Sequence, residues 1–130
     1  DESYNASPST MEKCINYFDN LKIYKNSKKF LILGDMNELG TKKDKFHKEV
    51  IKNILDKNID YTILCGPLFK SALNNININK KNIFYISNEI NIMNFLKKKL
   101  HNNDTILVKC SNSTKVNKFA QMLLINKRKV

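Results

Sequence analysis

Three short segments carry side chains that could bind or orient a charged ligand. The first is residues 1–8, in which Asp1 and Glu2 precede Tyr4 and Asn5. A helix N-terminus offers free N–H groups to phosphate, and a carboxylate can accept ribose hydroxyls. The segment is therefore a candidate nucleotide-binding edge. The residues alone favour the simpler alternative, a polar loop that leads into a helix and caps it.

The second segment, residues 34–40, has glycine at both ends and carries the acids Asp35 and Glu38. A P-loop has four residues between its glycines and continues with Gly-Lys-Ser/Thr, whereas here five residues intervene. Two carboxylates would also repel phosphate. The segment predicts a loop that meets a cationic ligand or a partner domain. His47 follows shortly after, and a lone His is more often packed or solvated than functional.

The third segment, residues 109–114, follows an apolar run. Ser111 or Asn112 could simply cap the next helix. Lys109 stands at the end of a predicted buried strand, where a cation can meet an anionic ligand. The sequence leaves both interpretations of this segment open.

Four apolar, β-branched runs bounded by turn formers predict the buried strands that position these segments. They are residues 30–33, 61–65, 83–86 and 105–108. Apolar residues spaced three and four apart predict helices around them. These are residues 11–18, 46–54, 68–73, 92–100 and 116–124. The pair Ser9 and Glu12 has the Ser-x-x-Glu form of a capping box for the first helix.

One helix followed by four strand–helix units predicts an α/β fold, a three-layer Rossmann-like domain with a mostly parallel sheet flanked by helices. A chain of 130 residues fits a single domain, residues 1–130. Ligands of such folds bind beyond the carboxyl ends of the strands. Residues 34–40 and 109–114 follow two of these ends, so we expect the site there.

The composition argues against nucleic-acid binding and against a membrane-spanning segment. The formal charge is +11, but all but one of the 23 basic residues are Lys, and nucleic-acid contacts favour Arg. No apolar run is long enough to span a membrane. The three cysteines have no metal-ligand spacing, which predicts free thiols in a reducing cytoplasm. The chain begins at Asp1 without an initiator Met, so we expect more protein upstream.

Together the three segments resemble the Mur ligases of the D-alanyl-D-alanine-adding type, at the C-terminal domain of these enzymes. The matching residues are Asp1, Ser3, Tyr4, Asn5, Ala6, Pro8, Gly34, Asp35, Met36, Glu38, Leu39, Gly40, His47, Lys109 and Ser111. Four positions depart from the family pattern: Glu2 stands for Asp, Ser7 for Asn, Cys110 for Gly and Asn112 for Arg. Cys110 adds a side chain where the glycine would let the backbone approach a ligand closely. Asn112 lacks the planar, charged guanidinium group of the arginine.

The resemblance implies an ATP-dependent amide ligase. In that family ATP phosphorylates the tripeptide carboxylate of UDP-N-acetylmuramoyl-tripeptide, and the amine of D-Ala-D-Ala then attacks the acyl phosphate. ATP and Mg²⁺ are bound mainly by a central domain that this chain does not contain. The resemblance therefore implies no catalytic residue and no metal ligand here, and an inactive isolated fragment. The resemblance also implies that this domain has the upstream domains of the same protein as its partners.

The resemblance also implies roles for the three segments. Either Asp1 or Glu2 would accept the ribose hydroxyls, with Tyr4 and Asn5 along the nucleotide edge. The dipeptide carboxylate would meet the residues of the third segment, Lys109, Ser111 and Asn112. The amine, or a domain interface, would meet Asp35, Glu38 and His47. Two alternatives remain: a Mur-type ligase with a different amino-acid substrate, and a basic, non-enzymatic α/β binding module.

Overall fold

Strands and helices alternate along the chain in the computed structural model, which describes residues 7–79 and 82–110. The helices are α1 (Pro8–Asn20), α2 (Lys43–Ile54), α3 (Pro67–Asn74) and α4 (Glu89–Lys99). The strands are β1 (Lys29–Gly34), β2 (Tyr61–Cys65), β3 (Ile83–Tyr85) and β4 (Thr105–Lys109). A single 3-10 turn, Gly40–Lys42, leads into α2. The predicted helix at residues 116–124 lies outside the described residues.

The four strands form one parallel sheet in the order β3-β2-β1-β4. The predicted α/β fold class is confirmed, and the four predicted strands agree with the structure to within one residue at each end. All six residues of β1 are buried, as a central strand requires when helices cover both faces of a sheet. The chain moves from β1 to β2 and β3 on one side and places β4 on the other, so the topological switch point lies between β1 and β4.

Two apolar cores lie on the two faces of the sheet, and β1 contributes to both in alternation. Leu31 and Leu33 pack with α1, α2 and α3 on one face. Phe30 and Ile32 pack with α4 on the other. Side chains alternate between the two faces along every strand, so the face of any strand residue follows from its position. Within the described ranges, no helix has the length and apolar character needed to cross a membrane.

The end of helix α1 lies at the amino edge of the sheet, where β1 starts. The Lys29 ammonium, at the start of β1, donates to the carbonyl of Asp19 at the end of α1 over 2.8 Å. A helix of 13 residues and a strand of six both span roughly 20 Å. Helix α1 is therefore long enough to reach from the amino edge of the sheet to the edge where β1 ends.

The capping box of α1 differs from the one predicted at Ser9. Ser7 is the N-cap: its hydroxyl accepts the Thr10 N–H at 3.2 Å, and the Thr10 hydroxyl accepts the Ser7 N–H at 2.9 Å. Pro8 occupies the first helical position, where its fixed φ suits the helix and its missing N–H has no consequence. The prediction at Ser9 was wrong because Pro8 starts the helix two residues earlier than that pattern requires.

Replacing Ser7 with Ala is expected to lower the free energy of unfolding by about 1 kcal/mol, because an N-cap acceptor is lost. Ser9→Ala is the matched control, since Ser9 is exposed inside the first turn, and its effect should stay within about 0.5 kcal/mol. Urea denaturation of both variants measures the difference. A larger loss at Ser9 than at Ser7 would contradict the observed cap.

Candidate functional site

Two of the predicted segments come together at the switch point. We call residues 35–39, which follow β1, the β1 loop. Leu33 pairs with Lys109 across β1 and β4, so the β1 loop and the end of β4 emerge side by side. Asn37 and Glu38 are exposed in the β1 loop, while Asp35 and Met36 are buried. The β1 loop is thus buried where it leaves the strand and exposed further along.

Asp35 binds the start of α3. One carboxylate oxygen accepts the Leu68 N–H at 2.9 Å and the other accepts the Phe69 N–H at 3.0 Å. These N–H groups lie in the first helical turn, where they have no partner within the helix and where the helix dipole favours a negative charge. Asp35 is only 5% exposed. Its carboxylate therefore joins β1 to α3, and direct contact with a substrate stays a prediction.

Gly66 makes this contact possible. Gly66 lies beside Asp35, because the residues that precede them, Cys65 and Gly34, are partners in the β1–β2 ladder. Its φ is +110°, and a Cβ at this position would lie 2.4 Å from the Asp35 carboxyl carbon. Glycine is required both for the backbone conformation and for the space. Sequence reasoning missed Gly66; the signal was a Gly-Pro pair at a strand end on the same edge as Asp35.

His47 holds the β1 loop from α2. Its Nε2 accepts the Met36 N–H at 3.0 Å, and its Nδ1 lies 2.6 Å from the Lys43 carbonyl. Nε2 must carry a lone pair to accept an N–H, so the imidazole is neutral with the proton on Nδ1. Burial lowers the pKa of His47. The ring meets Phe69 edge-on at 4.6 Å and is fully buried, and its contact with a substrate stays a prediction.

Glu38 is the exposed acid of the β1 loop, and its backbone has φ of +61°. A non-glycine residue in this region is uncommon, and such conformations concentrate at functional sites. Unlike Asp35, Glu38 presents its carboxylate to solvent. Of the three residues predicted for the amine end, Asp35, Glu38 and His47, only Glu38 is exposed.

Lys109 and Cys110 lie on opposite faces of the sheet. Lys109 is 7% exposed and shares the face of its partner Leu33, towards α1, α2 and α3. Cys110 packs in the core on the α4 face. The Cys110 side chain, which replaces a glycine of the family pattern, therefore lies inside the core. The third segment's Ser111 and Asn112, and the first segment's Asp1, Glu2, Tyr4 and Asn5, lie outside the described residues.

The cysteines are free thiols, as predicted, with Cys65 and Cys110 buried and Cys14 partly buried. Burial, followed by the nearby Asp35 charge, raises the pKa of Cys65 to about 11, which makes the thiol a poor nucleophile near neutral pH. Across the described ranges, His, Cys, Asp and Glu form no group of three that could bind a metal ion. The described residues at the carboxyl edge therefore contribute charge and hydrogen bonding.

An open groove at the opposite, amino edge of the sheet has a volume of about 890 Å³ and is lined by residues 21–24 and 102–105. Its acid, Asp104, accepts the backbone N–H groups of Lys28 and His101, both at 2.8 Å. This acid ties chain segments together at the start of the strands. We therefore place the candidate site at the carboxyl edge, where exposed charged groups remain.

Comparison with known proteins gives a family for the chain. The "Mur ligase, glutamate ligase domain" family matches residues 2–112. The UDP-N-acetylmuramoyl-tripeptide--D-alanyl-D-alanine ligase of Bacillus subtilis (strain 168) is 31% identical over 127 residues, which cover 95% of this chain and 27% of that protein. The same ligase of Buchnera aphidicola subsp. Baizongia pistaciae is 34% identical over 125 residues, covering 95% of this chain and 25% of that protein.

A solved structure of the MurF ligase from Thermotoga maritima in complex with ADP superimposes with a TM-score of 0.74 at 25% identity. The match covers 98% of this chain and 28% of that one. The chain spans about a quarter of the length of the curated relatives it matches. The resemblance inferred from the three segments is confirmed by the family match over residues 2–112, and the chain belongs to the Mur ligase family as its C-terminal, glutamate ligase domain.

Proposed function

We propose that this chain is the C-terminal domain of an ATP-dependent ligase that adds D-Ala-D-Ala to UDP-N-acetylmuramoyl-tripeptide through an acyl phosphate. The observation that carries the proposal is the junction of the β1 loop with the end of β4. It brings an exposed acid, Glu38, and a strand-end cation, Lys109, to the same edge of the sheet in a chain similar to D-alanyl-D-alanine ligases. A dipeptide carries one amine and one carboxylate, which these two charges complement.

Lys109 is assigned to the dipeptide carboxylate, with Ser111 and Asn112 assisting. Asn112 replaces an Arg of the family pattern, so the carboxylate would keep one cation and an amide in place of a second cation. Glu38 is assigned to the dipeptide amine. Asp35 and His47 support the β1 loop from behind through the backbone contacts described above.

Asp1 or Glu2, with Tyr4 and Asn5, is assigned to the nucleotide edge. The length of α1 supports this, because the helix can reach the carboxyl edge from its end beside Lys29 and these residues directly precede Ser7 and Pro8. The ADP bound in the Thermotoga maritima relative supports nucleotide binding by the family. The nucleotide and the dipeptide would then meet at the same edge of the domain.

The described residues do not fit a Mg²⁺ site. Both carboxylate oxygens of Asp35 accept backbone N–H groups, and the described part of the chain has no cluster of three acids or other ligands. We therefore assign Mg²⁺, phosphoryl transfer and most of the ATP contacts to the upstream domains. These domains are also the partners of this chain, and the reaction would take place in the cytoplasm.

The test is a product assay with the intact protein, including its upstream domains. It is incubated with ATP, Mg²⁺, UDP-N-acetylmuramoyl-tripeptide and either D-Ala-D-Ala or single amino acids, and the products are weighed by mass spectrometry. The expected product gains one D-Ala-D-Ala, with ADP and phosphate released. The isolated chain should release no phosphate, because phosphoryl transfer depends on groups outside it. A product that gains a single amino acid, or none, would overturn the proposal.

A further inference from the structure

The β1 loop has a fixed half and an exposed half. Asp35 is bonded to α3 and the Met36 N–H is bonded to α2, and both side chains are buried. The next two residues, Asn37 and Glu38, are exposed. The position of the exposed half therefore depends on how firmly the first half is held.

The bond between Met36 and His47 anchors the loop two residues before Glu38. It joins the loop to α2 over 3.0 Å, from a ring whose other nitrogen is bonded to the Lys43 carbonyl one helical turn earlier. Phe69 of α3 packs against the same ring at 4.6 Å. The ring is held on three sides and fully buried, so all of its contacts in the structure are with the protein itself.

Glu38 needs such support, because its left-handed backbone costs roughly 1 kcal/mol relative to an ordinary conformation. We propose that His47 is a positioning residue for the ligase reaction: its neutral Nε2 fixes the Met36 N–H and so sets Glu38 against the dipeptide amine. This inference rests on the proposed function.

Charged groups around the ring bear on its protonation. Asp35 faces it from the end of β1, and Asp44 faces it from α2, where Lys48 pairs with Asp44 over 2.9 Å. From α3 the ring meets the uncharged Phe69. A proton on Nε2 would turn the acceptor into a donor that faces another donor, and the anchor would be lost.

Two variants of the intact protein distinguish the role of Nε2 from that of Nδ1. In His47→Gln the amide oxygen can take the place of Nε2 and accept the Met36 N–H. In His47→Asn the amide can donate to the Lys43 carbonyl but cannot reach Met36. We expect His47→Asn to raise the Michaelis constant for D-Ala-D-Ala about three- to tenfold, the effect of one hydrogen bond, with that for ATP unchanged. His47→Gln should stay close to wild type.

A readout on the wild type covers the case in which neither variant folds. Burial lowers the pKa of His47, so its ring should gain a proton only below about pH 6.5, the ordinary imidazole value, and the dipeptide amine stays charged throughout that range. The dipeptide Michaelis constant should rise towards acid as His47 gains its proton, and the ATP constant should rise less. Equal rises for both substrates at low pH, or equal effects of Gln and Asn, would overturn the inference.

Hydrogen exchange at the Met36 amide separates this inference from the proposed function, because it needs no substrate. The amide should be protected in wild type and His47→Gln and should exchange about tenfold faster in His47→Asn, relative to amides of β1, because one hydrogen bond is lost. If the product assay fails while this pattern holds, the anchor stands and the ligase assignment falls. If Met36 exchanges alike in all three proteins, the anchor itself is refuted.

Discussion

Replacing Gly66 with Ala is expected to lower the free energy of unfolding by about 3–5 kcal/mol, a size that single substitutions reach only through a few mechanisms. Two such mechanisms act here. The φ of +110° disfavours any side chain, and the new Cβ would lie 2.4 Å from the Asp35 carboxyl carbon. Relief of this clash requires Asp35 to leave the Leu68 and Phe69 N–H groups, which then lose their acceptor. Chemical denaturation of the chain measures the loss.

Gly40→Ala is the matched control, because Gly40 also has a positive φ, +61°, but a Cβ added there would have no other atom within 4 Å. Its cost should be roughly 1 kcal/mol, the backbone strain alone. Combining Gly66→Ala with Asp35→Ala isolates the clash, since the double variant should be more stable than the sum of the single effects by about 1–3 kcal/mol. Equal losses at Gly66 and Gly40 would contradict the Asp35–Gly66 contact.

The sheet could be predicted because its strands correspond to local runs of residues. Residues 61–65 are an apolar run bounded by Asp60 and Gly66, and the strand found there has the same limits. Alternation of such runs with helical patterns implies parallel pairing, and the carboxyl edge follows from that topology. The sequence therefore predicts this edge as the place for a candidate site.

The roles of individual site residues could not be predicted from the sequence, because the groups that they bind are distant along the chain. Asp35 binds N–H groups 33 and 34 residues later, at a helix start that becomes adjacent only when β1 and β2 pair. The sequence shows a carboxylate in a loop, which fits a ligand contact and a helix cap equally well. His47 likewise fits a packed or a functional role until its two nitrogens are seen between Met36 and Lys43.

The second large effect is expected at Lys109 in the intact protein. Lys109→Met keeps most of the apolar stem but removes the cation that we assign to the dipeptide carboxylate. A hydrogen bond to a charged group contributes about 1.5–3 kcal/mol, so the Michaelis constant for D-Ala-D-Ala should rise about ten- to hundredfold. The constant for ATP should change little, because the nucleotide edge is assigned to residues that precede α1. Steady-state kinetics with each substrate varied in turn measure both constants.

Lys29→Met is the matched control for a buried lysine on the same sheet. Lys29 is 6% exposed, against 7% for Lys109, but it lies at the amino edge and bonds the Asp19 carbonyl. Its loss should lower stability and leave the dipeptide constant unchanged.

Comparison of the two Lys variants is the most direct test of a dipeptide site at the carboxyl edge of this domain. A selective rise in the dipeptide constant for Lys109→Met, absent from Lys29→Met, is the predicted result. A rise in the ATP constant alone, or equal effects of the two substitutions, would contradict the assignment of the dipeptide to the carboxyl edge, where β1 and β4 end side by side.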